Sequence, residues 1–149
     1  MLKVGLIILS GLLILSSGAW ANGSDEAMAI STKGILIQKA RLRLVAENVA
    51  NVNTLKTSTG RPYQKKTALV GSDKNGVKLI GIQKSTAPFP KRYDPANPAA
   101  DDEGFVYLPN VNLAEEMVDL SYTNILYDAN LTAYKSAKSM YQKVIEILK

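Results

Sequence analysis

The side chains that could carry chemistry in this chain are few, and their spacing serves chemistry poorly. Asp101, Asp102 and Glu103 form an acidic run of the kind that holds a divalent cation. A calcium loop needs ligands at alternating positions around a glycine bend; three consecutive acids do not supply that, and the run reads as an exposed turn. Glu115 and Glu116 look like paired carboxylates. Adjacent helical residues point ~100° apart and cannot flank one bond, so their expected work is capping and favourable charge at a helix start. Lys65-Lys66 and the Lys39, Arg41, Arg43 group are basic, but Arg41 and Arg43 stand two apart and share no helix face. Histidine and cysteine are absent. With them go the commonest general base, every ordinary zinc site and any disulfide. There is neither a glycine-rich phosphate loop nor a nucleophile elbow. The reading is therefore no catalytic residue, no cofactor, no metal and no enzyme; a wall-cleaving enzyme would need a carboxylate in a cleft, and none is offered.

What does rise above background is Tyr127, Tyr134 and Tyr141, spaced by seven. As core aromatics or as an assembly seam they do the same work: ring faces buried, hydroxyls bonded at the margin. They lie on the stretch Pro109 to Lys149. Asn112 can cap a helix there, and Glu115 three residues later can reach back to it, a capping box. No Pro or Gly follows before Lys149. Leu113, Met117, Leu120, Tyr127, Leu131, Tyr134, Tyr141, Ile145 and Leu148 recur at alternating steps of three and four, with Asn124 and Lys138 as polar steps. The pattern predicts one helix of ~37 residues, about 55 Å long, with a heptad seam. Such a stripe cannot bury itself; it needs a second long helix and other copies of the chain.

The chain opens on an address. Lys3 precedes an apolar run, and Ala19-Trp20-Ala21 has the small-x-small form of a signal peptidase site, so cleavage is expected between Ala21 and Asn22. The rival is a retained anchor, since Val4 to Ala21 reaches the low end of the ~17–25 residues a spanning helix needs. Removing 21 of 149 residues leaves one small domain and takes the net charge from +5 to +4. The excess suits acidic envelope surfaces and reads as a solvated surface, and a leader argues against a nucleic-acid partner.

The first mature element is predicted from about Asp25 to Val52, capped by Ser24 with Asp25 and Glu26 in its first turn. Ile35, Leu42, Val45, Val49 and Val52 make one stripe; Ile30, Ile37 and Leu44 make an adjacent one. One stripe can meet the C-terminal helix, leaving the other for a neighbouring molecule. Between the helices, Tyr63 to Val70 and Val77 to Lys84 read as strands around a Ser72 to Gly76 turn. Phe89 to Tyr93 and Phe105 to Leu108 are weaker strand candidates. Pro88, Pro90, Pro95 and Pro98 stiffen the connection. The expected fold is mainly α with a small β insert: long terminal helices paired as a coiled coil, a β-rich hairpin module between. The expected divisions are 1–21 leader, 22–55 first helix, 56–108 β-rich region and 109–149 second helix.

Two segments carry a resemblance. Ala46 to Thr54 contains Ala50-Asn51-Val52-Asn53-Thr54, which resembles the Ala-Asn-x-x-Thr signature closing the first helix of flagellar axial proteins, the rod and hook family. Pro109 to Asn112, Glu115 to Leu120 and Tyr127 to Leu131 resemble the C-terminal signature of its proximal rod proteins. Gly60-Arg61-Pro62-Tyr63, Pro88-Phe89, Tyr93-Asp94-Pro95, Asn97-Pro98 and Gly104-Phe105-Val106 agree with the same family, so the likeness spans Ala27 to Lys149. It implies a structural basal-body subunit, its terminal helices packed with those of other copies and other rod proteins into a hollow rod that crosses the periplasm and transmits torque. Three features depart from the family: Ile125 stands where relatives carry Arg, Asn97 where they often carry His, and family members usually leave by flagellar export without a cleaved leader. Initiation at Met28 would remove the last conflict, but the charged start, apolar core and Ala-Trp-Ala site together argue against it. The leader also motivates an alternative, a periplasmic adaptor with a rod-like fold that builds no rod. The candidate interface residues are Leu42, Val45, Val49 and Asn51 from the first helix and Met117, Leu120, Tyr127, Leu131, Tyr134 and Tyr141 from the second. No small-molecule substrate is expected, and membrane contact only through the leader.

Overall fold

The computed structural model describes the backbone of residues 2–73 and 76–147, and side chains over 23–72 and 76–147. The order is α1 (Leu2–Ala50), β1 (Lys66–Asp73), β2 (Gly76–Lys84), β3 (Lys91–Tyr93), β4 (Phe105–Tyr107) and α2 (Leu113–Ile147). The mainly α chain with a small β insert is what the sequence led one to expect. The start of α1 is not: helix runs through Gly23 to Asp25 without a break. Ser24 is buried within the helix and not at its start, because no proline interrupts the chain there and one glycine costs only ~1 kcal/mol. The expected cleavage position, Ala21-Asn22, lies outside the residues whose side chains are described.

The two helices run antiparallel. Gly34 lies against Asn130, and the Asn48 side chain bonds that of Glu116. The step from Gly34 to Asn48 and the step from Asn130 back to Glu116 are both fourteen residues. On α2 the seam runs through the buried or half-buried Glu116, Leu120, Thr123, Tyr127, Asn130, Tyr134, Ala137, Tyr141 and Val144, alternating steps of four and three, with Leu126 and Leu131 half-buried beside it. On α1 it runs through Ser24, Ala27, Ser31, Gly34, Gln38, Arg41, Val45 and Asn48, the same repeat. One face of this seam is therefore small or polar and the other is rich in Leu and Tyr. Small residues let a tyrosine ring lie close against the opposing backbone.

This phase differs from the apolar reading. Leu120, Tyr127, Tyr134 and Tyr141 hold the expected column, but its companion column is set back by one residue. Asn124 and Lys138 are exposed, as are Met117, Leu113 and Ile145. A hydrophobicity count followed those apolar flanks and passed over Glu116, Thr123 and Asn130, which are polar yet face inward.

The second stripe of α1 is not left for a neighbour. Ile37 and Leu44 are buried, and Ile30 approaches Gly76 at the start of β2; both β1 and β2 pack on α1. The chain covers this stripe with its own hairpin. β1 and β2 pair antiparallel from Lys66↔Lys84 to Asp73↔Gly76, with a bulge at Leu69/Val70 that leaves Ile80 unmatched. β1 begins at Lys66, not Tyr63, because Tyr63 is drawn under the end of α1. β3 and β4 form a second short antiparallel pair, Lys91↔Tyr107 to Tyr93↔Phe105. Its connection is tied by Asp101, whose Oδ1 accepts the Glu103 and Phe105 amides at 3.1 and 2.8 Å. Gly104 follows at φ 83°, a conformation that suits glycine.

Candidate functional site

The densest polar construction stands where the end of α1, the start of α2 and the strap before β1 meet. The α2 start is fixed by Asn112, whose Oδ1 accepts the Ala114 amide at 3.0 Å. Glu115 bonds the Asn112 side-chain amide at 3.2 Å, so the box closes side chain to side chain. That orientation turns the next residue, Glu116, inward, where it is 0% exposed.

A carboxylate so buried costs several kcal/mol unless it is matched. Lys65 matches it: Nζ lies 2.7 Å from Glu116 Oε1 and 3.8 Å from Glu115 Oε2. Asn48, 1% exposed, takes the other oxygen, donating Nδ2 to Glu116 Oε2 at 3.0 Å. The same Nδ2 donates to Lys66 O at 2.9 Å, while Oδ1 accepts from Lys66 N at 3.0 Å and from the Tyr63 hydroxyl at 2.9 Å. All four hydrogen-bonding positions of the carboxamide are used. Its bonds to Lys66 imitate those of a strand neighbour, so Asn48 starts β1 as well as holding α2. Lys65 N donates to Asn110 Oδ1 at 2.8 Å, and Lys66 Nζ pairs with Glu47.

The electrostatics follow from the packing. Burial pushes the Tyr63 phenol up to about 12, and the charges of Glu47 and Glu116 add to the rise. Burial pulls the Lys65 ammonium down, but the hydrogen bond and charge of Glu116, with Asp119 and Glu115, outweigh it and leave it raised. The charged groups here are paired across segments, Lys65 with Glu116 and Lys66 with Glu47, and the arrangement is a clamp joining three segments. Among the described residues no group of three His, Cys, Asp or Glu could hold a metal ion, and no helix is long and apolar enough to cross a membrane.

The candidate interface residues separate into four sets. Val45, Leu120, Tyr127, Tyr134 and Tyr141 lie in the seam between α1 and α2; Leu42, Val49 and Leu131 flank it, half-buried. Met117 is exposed. Asn51 closes α1: its Nδ2 donates to Glu47 O at 2.8 Å and its Oδ1 accepts from the Thr54 hydroxyl at 3.1 Å. Sequence reasoning missed the pairing of Asn48 with Glu116; the available signal was a polar residue placed on a heptad column at each helix end. It also missed an outer face. Val118 and Ile125 each follow a buried seam residue by two, and Tyr122 follows Leu120 by two, which is ~200° around the helix. They are 68, 65 and 58% exposed.

Paired long terminal helices around a small β region, with apolar surface unspent, define a subunit built to associate. Residues 102–147 match the family described as flagellar basal body rod FlgEFG protein C-terminal. The flagellar basal-body rod protein FlgC of Agrobacterium fabrum is 38% identical over 132 residues, covering 84% of this chain and 95% of its own length. The FlgC proteins of Borreliella burgdorferi and Bacillus subtilis are 32 and 31% identical, covering 85 and 82% of this chain and 98 and 96% of theirs. The chain belongs to the FlgC family of flagellar basal-body rod proteins.

Proposed function

We propose that this chain is a structural subunit of the basal-body rod, delivered to the periplasm by its leader and polymerised through its terminal helices. The observation that carries this reading is the outer face of α2. Val118, Tyr122 and Ile125 stand exposed on one side of the helix while the opposite side is already committed to α1. Large apolar residues left in water on a face of this regularity mark an interaction surface. The seam of the helix pair winds as a coiled coil, and neighbouring copies and other rod proteins cover the outer face and the flanks Leu42, Val49, Met117 and Leu131. Rotation of the motor passes along this packed wall as torque. The role asks for no enzyme activity and no cofactor.

The leader reading rests on the charged start, the apolar run and the Ala-Trp-Ala site. The test is the intact mass of the protein in purified basal bodies and in the soluble periplasm. A chain beginning at Asn22 within basal bodies is the expected result. Its presence only in the soluble periplasm, with rods intact after deletion of the gene, would overturn the rod reading in favour of an adaptor.

A further inference from the structure

A groove of about 610 Å³ opens beside the clamp, between the 57–64 strap and the end of β2. This volume lies in the range of ordinary binding sites. Arg61, Lys66 and Lys84 line it, and no carboxylate does. Lys66 is committed to Glu47, but Arg61 and Lys84 are exposed and make no ion pair among the described residues. The backbone that carries them is braced. Thr57 N and Oγ1 both donate to Arg61 O, at 2.8 and 2.9 Å, and Gly60 N donates to Thr57 O at 2.9 Å with Gly60 at φ 75°. Next to Lys84, Gln64 Nε2 donates to Ser85 O at 2.6 Å.

The same chain carries a complementary shape. The Asp101–Gly104 turn is closed by Gly104 N to Asp101 O and by Asp101 N to Phe105 O, both 2.9 Å. Asp101 spends its carboxylate inside the turn. Asp102 and Glu103 project from it, exposed and without an ion pair among the described residues. One molecule thus carries two preformed surfaces of opposite charge; Lys91 acts on Glu103 through space without closing an ion pair among the described residues.

We propose that the Arg61–Lys84 groove receives the Asp102–Glu103 turn of a second copy. This rests on the rod reading and names a contact for it outside the helices. Groove and turn are different surfaces, so the contact is head-to-tail and need not close; repeated, it extends an open polymer. Exposed charge pairs add little affinity. They orient the incoming copy and penalise the wrong one, leaving apolar helix faces to supply the energy.

The chain has no cysteine, which allows a clean test in whole cells. Lys84→Cys and Asp102→Cys in one chain, under mild oxidation, are expected to give a ladder of dimers, trimers and longer species. Each single variant should give no ladder. Monomer alone, or a faster-migrating monomer with an internal bridge, would overturn the contact. Charge reversal supplies the second measurement. R61E/K84E and D102K/E103K should each cut the amount of the chain in basal bodies at least tenfold, and the four changes together should restore it to within about threefold. Normal incorporation of either pair alone, or no rescue by the four, refutes the proposal. A ladder from a chain absent from basal bodies would keep the contact and sink the rod reading.

Discussion

Replacing Asn48 by alanine tests the clamp most directly. The carboxamide makes four hydrogen bonds at 2.9–3.0 Å, one of them to a buried carboxylate. Its site is 1% exposed, and the groups left behind could reach water only through the cavity of about 250 Å³ beside it. A typical net hydrogen bond is worth ~1 kcal/mol and one to a charged group ~1.5–3, while an orphaned buried group costs ~1–3. The four share one side chain and are not additive, so a loss of about 3–5 kcal/mol is expected. That is a large fraction of the ~5–15 kcal/mol that holds a small domain. The assay is urea unfolding of the chain beginning at Asn22, followed by far-ultraviolet circular dichroism, with the midpoint shift converted through the measured m-value. Tyr63→Phe, which removes one of the four bonds, serves as the ruler and should cost about 1 kcal/mol. A loss below about 1 kcal/mol for Asn48→Ala would refute the reasoning: the junction would then be held by apolar contact, not by the carboxamide.

Alkali should loosen the same junction. The folded Tyr63 value of about 12 lies above 10.0, so between those values the folded chain keeps a proton that the unfolded chain has released. Stability present below pH 10 therefore falls as pH rises toward 12, by roughly 3 kcal/mol in all, and Tyr63→Phe should flatten that fall in a pH series of urea midpoints. Raised Lys65 acts with the same sign. At Gly34 an added Cβ would lie 2.7 Å from Asn130 Cγ; Gly34→Ala should cost about 1–3 kcal/mol by thermal unfolding, and Asn130→Ala in the same chain should recover most of it. Ile125→Glu lies on the outer face, so it should change monomer stability by less than ~0.5 kcal/mol yet abolish incorporation into basal bodies. Tyr127→Ala and Leu131→Ala should impair incorporation while secretion continues, with Tyr127→Ala also costing the monomer about 2–4 kcal/mol. Equal incorporation of Ile125→Glu and the parent chain would remove the outer face from the assembly.

The large elements were legible because their signals are local. The Asn112 cap, the unbroken run to Ile147, and the turn between Asp73 and Gly76 each act over a few residues. What failed was the phase of the seam. Seen as hydrophobicity, α2 offers Met117, Leu131 and Ile145; seen as packing, it uses Glu116, Asn130 and Val144 one position earlier. The reason lies on the opposite helix, where Ser24, Ser31, Gly34 and Gln38 supply room instead of apolar mass. A sequence pattern cannot report that Asn48 and Glu116, 68 positions apart, satisfy one another. For the same reason Asn48 was indistinguishable from Asn51, three residues along: the two differ only in whether Glu116 comes to meet them. The start of α1 was misplaced by the opposite error, a local cap signal at Ser24 overridden by helix arriving from upstream.

A helix pair built on a repeat of seven has a hidden degeneracy. Slide α1 along α2 by one repeat, ~10.5 Å, and Ser31 takes the berth of Ser24, while Tyr134 takes that of Tyr127. Two places resist the slide. Arg41 would enter the berth of Gly34, which has no room even for a Cβ beside Asn130, and Asn48 would face Thr123 instead of Glu116. The helix pair therefore has one register that closes without a clash or an orphaned carboxylate, and that register sets the length of the folded unit.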